Sequence, residues 1–350
     1  MPVYPSLWCY FSRKYFTLTQ YSGIEKGAVL EPGTSQAYNS LRRKSEEGLP
    51  MLDLNRIATE QRNPDTLDID RVSTLDMVRE INREDARVAQ AVEKVLPMIA
   101  EAIDQTAPRL ADGGRLIYVG AGTSGRLGIL DASECPPTYS APPEMVQGLI
   151  AGGYPAIFKA VEGAEDSREM GREDLEKIGL NAKDVVCGLA ASGRTPYVLG
   201  AIAYAKETGA LTLGITCSPG SEVDVQVDIG MSPLPGPEAI TGSTRMKSGT
   251  AQKMILNMLS TGVMVRLGKV YSNLMVDVQA SNEKLVQRCI RIVCQALDTE
   301  PETAREALEA CGYRCKTAIV MVGKKCTCKE AERLLAEHGG RVADALEEKT

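Results

Sequence analysis

Three stretches rich in glycine and hydroxyl residues have the composition of a cradle for a phosphate. Gly120-Ala121-Gly122-Thr123-Ser124-Gly125-Arg126 follows an apolar run and leads into a helical pattern. Ala191-Ser192-Gly193-Arg194-Thr195-Pro196 repeats the device, with Pro196 suited to a first helical position. The glycines allow close backbone approach, Thr123, Ser124, Ser192 and Thr195 offer hydroxyls, and a helix N-terminus favours a dianion. A third stretch, Thr241 to Thr250, brings Arg245 and Lys247 beside Ser243 just before a long helix, a pattern suited to an anionic substrate group. Each stretch would also serve as a plain helix cap.

The first loop formally matches G-x-G-x-x-G, but dinucleotide binding also calls for an acidic residue at the end of the second strand. The chain has Ala151-Gly152-Gly153 there. A monophosphate fits better than a pyrophosphate, and no cofactor is called for.

Two glutamates lie beside these loops. Glu134 sits in Asp131-Ala132-Ser133-Glu134-Cys135-Pro136-Pro137, where the paired prolines are expected to end a helix. Glu165 sits in Glu162-Gly163-Ala164-Glu165-Asp166-Ser167, a glycine-containing turn. Position alone favours a solvated role for either, as for most glutamates. His338, the single histidine, precedes Gly339-Gly340, which reads either as a helix C-cap or as a turn closing over an active site of this or a partner chain.

The elements that would position these residues follow from periodicity. One helix is expected from Ser73-Thr74 to about Asn82 and a second over 87–109, where Val88, Val92, Val95, Ile99 and Ile103 keep a helical repeat. Apolar runs at 116–119, 146–150, 185–190, 211–216 and 225–229 then alternate with helical patterns, as in a parallel α/β sheet whose ligands lie at the carboxyl ends of the strands. The expected fold is therefore a doubly wound five-stranded parallel sheet flanked by helices, followed by a small helical C-terminal subdomain. The expected segments are a disordered extension over 1–50, N-terminal helices over 51–110, the parallel-sheet domain that carries the phosphate-cradle loops, with its following helices, over 111–297 and the subdomain over 298–350.

Composition narrows the partners. A chain of 350 residues, 43% hydrophobic, can bury a sizeable core, and its net charge of -6 gives no basic footprint for nucleic acid or an anionic membrane. The apolar stretch from Met254 to Val265 is interrupted by Asn257, Ser260 and Thr261 and is too short for a bilayer span. Ten cysteines scattered along a long chain with no secretory h-region read as reduced thiols of a cytoplasmic protein, and C-x3-C with C-x-C at Cys311, Cys315, Cys326 and Cys328 matches no common zinc spacing.

From Met51 to the C-terminus the chain resembles the N-acetylmuramic acid 6-phosphate etherases of the sugar isomerase (SIS) domain superfamily. The resemblance rests on IDRVSTLDM (Ile69–Met77), YVGAGTSGRLGILDASECPPTY (Tyr118–Tyr139), AVEGAEDSRE (Ala160–Glu169), ASGRTPYV (Ala191–Val198), TGSTRMKSGTAQK (Thr241–Lys253), NLMVDV (Asn273–Val278) and AEHGG (Ala336–Gly340). It implies a lyase acting on a small sugar phosphate, with Glu134 donating a proton to the departing lactyl oxygen and Glu165 as the second catalytic carboxylate. It also implies a homodimer with sites near the interface. A sugar-phosphate isomerase, or a non-catalytic regulator related to glucokinase regulatory protein, would share the fold.

Overall fold

A computed structural model describes residues 58–278, 280 and 282–348. The extension expected over 1–50 lies outside the described residues.

Helix α1, Thr74–Glu93, opens where the Ser73 hydroxyl accepts the Asp76 N–H at 3.2 Å. It runs straight through the break expected after Asn82, because Arg83, Glu84, Asp85 and Ala86 are tolerable helix residues and none is glycine or proline. The break comes at Lys94 and Val95 instead, since Pro97 has no N–H and its ring would strike the Glu93 carbonyl if the helix continued. That proline occupies the first turn of α2, Leu96–Ala111.

Strands β1 (Leu116–Gly120), β2 (Val146–Ile150), β3 (Val185–Leu189), β4 (Leu211–Ile215) and β5 (Ile229–Met231) form one parallel sheet in the order β2-β1-β3-β4-β5. Six helices are interleaved with the strands or follow them: α3 (Gly122–Tyr139), α4 (Tyr154–Phe158), α5 (Arg168–Lys177), α6 (Pro196–Thr208), α7 (Glu222–Gln226) and α8 (Lys247–Arg266). Alternate side chains of β1 enter two cores. Leu116 and Tyr118 pack with residues of α1, α2, α3 and α8, while Ile117 and Val119 pack with α5 and α6 on the other face. The chain leaves β1 sideways to β2 and returns to β3 on the opposite side of β1, so the crevice lies between the carboxyl ends of β1 and β3.

Two expectations give way here. Val223, Val225 and Val227 alternate like a strand, yet the segment forms α7: Val223 and Val227, one turn apart, are buried and Val225 is exposed, so β5 begins only at Ile229. Pro136 and Pro137 do not end α3 either. They occupy its last turn, which Ser140 closes in a left-handed conformation with its N–H on the Pro136 carbonyl at 2.9 Å.

After a two-stranded ribbon, β6 (Val270–Tyr271) and β7 (Leu274–Met275), the chain is helical: α9 (Glu283–Leu297), α10 (Pro301–Ala310), α11 (Cys315–Lys324), α12 (Cys328–Glu337) and α13 (Val342–Glu347). These helices share one apolar cluster that begins at Val276 and includes Cys289, Ile290 and Val293 of α9. The helical body thus takes in residues upstream of 298.

Candidate active site

The β1 loop is held in place by close packing. A Cβ on Gly125 would lie 2.7 Å from both the Gly120 carbonyl oxygen and Ile150 Cγ1, so only glycine lets α3 start this near the strand ends. Gly122 has φ +52°, and Thr123 beside it is half-buried at the crevice. Ser124 points the other way. It is 8% exposed, and its hydroxyl donates to Gln252 Oε1 of α8 at 2.9 Å, tying the loop to that helix.

The β3 loop turns at Gly193, φ +66°, where a Cβ would also collide with Ser221 Oγ. Ser192 and Thr195 are half-buried there, and Thr195 precedes α6 without capping it. Glu165 shares this edge. It is exposed in a 3-10 turn, Ala164–Asp166, whose Ala164 is buried, and α5 follows directly. Gly171 and Gly200 let α5 and α6 touch backbone to backbone, Gly171 against Tyr197 and Gly200 against Arg168 at the start of α5. Arg126 secures the preceding chain with bonds to the carbonyls of Ile157 at 2.7 Å and Ala156 at 2.8 Å.

Glu134 is elsewhere. It is exposed on the far half of α3, about 18 Å along the axis from Gly122 at 1.5 Å per residue. Within one chain Glu165 precedes α5, Ser192 and Thr195 precede α6 and Thr123 opens α3, while Glu134 lies toward the other end of α3.

Lys247 faces inward. Its ammonium, 1% exposed, lies 2.6 Å from Glu84 Oε2 of α1, which also accepts from Asn63 Nδ2 at 2.7 Å. Burial alone would push the Glu84 carboxyl up, but the bonds from Lys247 and Asn63 and the charges of Lys247 and Arg87 outweigh it and hold it below the usual range. The α8 N-terminus is occupied as well: fully buried Glu238 accepts the Lys247 N–H at 2.8 Å, the Ser248 N–H at 2.9 Å and the Ser248 hydroxyl at 2.7 Å. The anion expected at this helix start is the protein's own carboxylate, and of the third loop's candidates Ser243 remains half-buried beside it. Lys247→Met strands Glu84 in the core and is expected to cost about 3–5 kcal/mol. A denaturation midpoint equal to the parent's would show that the pair is not a structural lock.

Residues 98–206 match the family model described as the glucokinase regulatory protein N-terminal SIS domain. Over 296 residues the chain is 55% identical to the N-acetylmuramic acid 6-phosphate etherase of Erwinia tasmaniensis, covering 85% of this chain and 97% of that protein. The chain belongs to the N-acetylmuramic acid 6-phosphate etherase family. The family's protein from Clostridium beijerinckii is 56% identical over 297 residues, covering 85% of this chain and 98% of its own. Among solved structures, a phosphoheptose isomerase from Neisseria gonorrhoeae is 16% identical with a TM-score of 0.42, covering 55% of this chain and 98% of that one.

Two further residues of this etherase-family chain bear on the site. His338 caps the C-terminus of α12, and its Nε2 lies 2.9 Å from Glu348 Oε2. Asp131, one turn before Glu134, escaped the sequence reading because it looks like any helix-surface acid. It is buried, accepting the Tyr118 hydroxyl at 2.8 Å and the Ser260 hydroxyl at 3.1 Å, and so fastens α3 to β1 and α8. Burial pushes its carboxyl up to about 6 against those two bonds.

Proposed function

We propose that this chain cleaves the D-lactyl ether of N-acetylmuramic acid 6-phosphate, yielding N-acetylglucosamine 6-phosphate and D-lactate. The carrying observation is 55% identity extending over 97% of a relative that bears this name. The substrate phosphate rests on the β1 and β3 loops, against Thr123, Ser192 and Thr195, with Ser243 beside them. In the open-chain sugar the C1 aldehyde acidifies the proton on C2. Glu165, at the same edge as the loops, removes that proton while Glu134 protonates the ether oxygen on C3. The C3–O bond breaks, D-lactate departs, and a C2–C3 double bond conjugated to the aldehyde remains. Water then adds, its oxygen to C3 and a proton to C2, with the carboxylates exchanging roles. The balance consumes one water and needs no electron acceptor.

A hexose phosphate anchored at Thr123 carries its C3 oxygen only a few ångströms away, whereas Glu134 of the same chain is about 18 Å down α3. We therefore take the working unit to be a homodimer in which each site combines Glu165 of one copy with Glu134 of the other, and in which the His338 turn sits near the substrate. The exposed Leu75, Val78 and Leu130 on α1 and α3 give such a dimer apolar surface to bury. A cytoplasmic setting is supported by the nine cysteines among the described residues, all free thiols. Among the described residues no helix is long and apolar enough to cross a membrane.

The decisive assay is incubation with N-acetylmuramic acid 6-phosphate in oxygen-18 water. Free D-lactate should appear without label, and the amino sugar should carry the label at C3. A folded sample that releases no lactate overturns the proposal, and label in the lactate places the cleavage on the wrong side of the oxygen.

A further inference from the structure

A cleft of about 480 Å³ lies where the end of α3, the segment 276–278 and the start of α11 meet, lined by Ser140, Asp277, Tyr313, Lys316 and Thr317 among others. The volume suits a small ligand. The cleft's one carboxylate, Asp277, is shared between Lys316 of the cleft wall and Lys269 outside the lining. Asp277 Oδ2 lies 2.8 Å from Lys269 Nζ and 2.9 Å from Lys316 Nζ, and the three side chains are only 20%, 21% and 14% exposed. One carboxylate thus answers two half-buried ammoniums, each with N–H donors to spare. Arg314 adds no surplus because Glu332 pairs with it. Burial holds the Lys316 ammonium below the ordinary lysine range despite Asp277, and the Lys269 charge pushes the same way. Ser140 and Tyr313 on the cleft wall hold positive φ angles of 49° and 60°, costly for non-glycine residues. The Ser140 hydroxyl donates to the Asp277 carbonyl, which links the cleft to the end of the helix bearing Glu134.

We propose that this cleft is a second anion-binding site, taking one compact oxyanion, a phosphate or a carboxylate, against Lys316. The Lys316 ammonium, which shares its carboxylate partner with Lys269, sets the ligand's charge, and the volume sets its size. Within one chain the cleft lies about 27 Å from the β1 loop along α3, and the Ser192→Ala variant separates the two in the dimer. It is independent of the etherase reading, since binding is measured without turnover.

The test is calorimetric titration of the full chain with inorganic phosphate and, separately, with D-lactate. Ser192→Ala marks binding at the β3 loop. Lys316→Met should weaken one binding event by about tenfold, the loss of a charge-assisted bond. Lys316→Arg should restore it, and Ser192→Ala should leave it in place. Asp277→Asn removes the competing carboxylate and should tighten the same event by about tenfold. Phosphate alone responding identifies a phosphate site, and D-lactate alone a carboxylate site; either supports the proposal. Binding that is lost in Ser192→Ala but indifferent to Lys316 and Asp277, or no binding of either anion, overturns it. Should Lys316→Met fail to fold, Asp277→Asn decides: unchanged affinity there refutes the site.

Discussion

Glu165→Gln abolishes both exchange of the C2 proton with solvent and release of D-lactate, whereas Glu134→Gln keeps the exchange and loses the release. This follows from the order of proton transfers. A glutamine at 165 cannot accept the C2 proton, so neither the enolised sugar nor anything after it forms. A glutamine at 134 leaves the base in place, so the C2 proton still comes and goes, but the lactyl oxygen has no acid to leave with. Loss of a positioned acid or base costs on the order of 10²–10⁴ in rate, well above assay noise. Both variants are run in deuterium oxide, following C2 deuteration by NMR alongside free lactate. Both side chains are exposed, so the substitutions should leave folding intact. Exchange that survives in Glu165→Gln and vanishes in Glu134→Gln reverses the assignment. Near-parental turnover in both removes the pair from the chemistry.

The sheet was legible because buried parallel strands are continuous apolar runs, and the first four stand within a residue of where those runs lie. The fifth was not, since three valines at alternate positions satisfy a strand pattern while the fold uses only Val223 and Val227, one helical turn apart. The strand-to-helix loops after β1 and β3 could be read locally, because glycines and hydroxyls between a strand and a helix are a local pattern. Lys247 could not. Its partner Glu84 is 163 positions upstream, and no spacing rule reports that the cation beside a hydroxyl loop is already answered. Asp131 is similar: nothing in its neighbours tells a buried helix acid bonded to Tyr118 and Ser260 from a solvated one. The motif around Glu134 does not report its distance from the β1 loop, which the length of α3 sets at about 18 Å.

That separation has a measurable consequence in mixed dimers. If each site takes Glu165 from one copy and Glu134 from the other, then Glu134→Gln and Glu165→Gln homodimers are both dead, each for lack of one carboxylate. Unfolding and refolding an equimolar mixture randomises the partners, and half of the resulting dimers pair one variant with the other. In such a dimer one site gathers both substitutions while the other gathers both intact glutamates and works normally. The mixture should therefore regain about one quarter of parental lactate release, rising from a background on the order of 10²–10⁴ lower. The ratio matters as much as the recovery. Diluting either variant with excess of the other should lower the regained rate in proportion to the mixed-dimer fraction, and mixing without refolding should restore nothing until subunits exchange. If both glutamates serve the site of their own chain, every mixed dimer holds two half-equipped sites and no ratio restores release. A refolded parental control that recovers full activity beside an inert mixture would place Glu134 and Glu165 in the same chain's site, and α3 would then have to be rearranged when substrate binds.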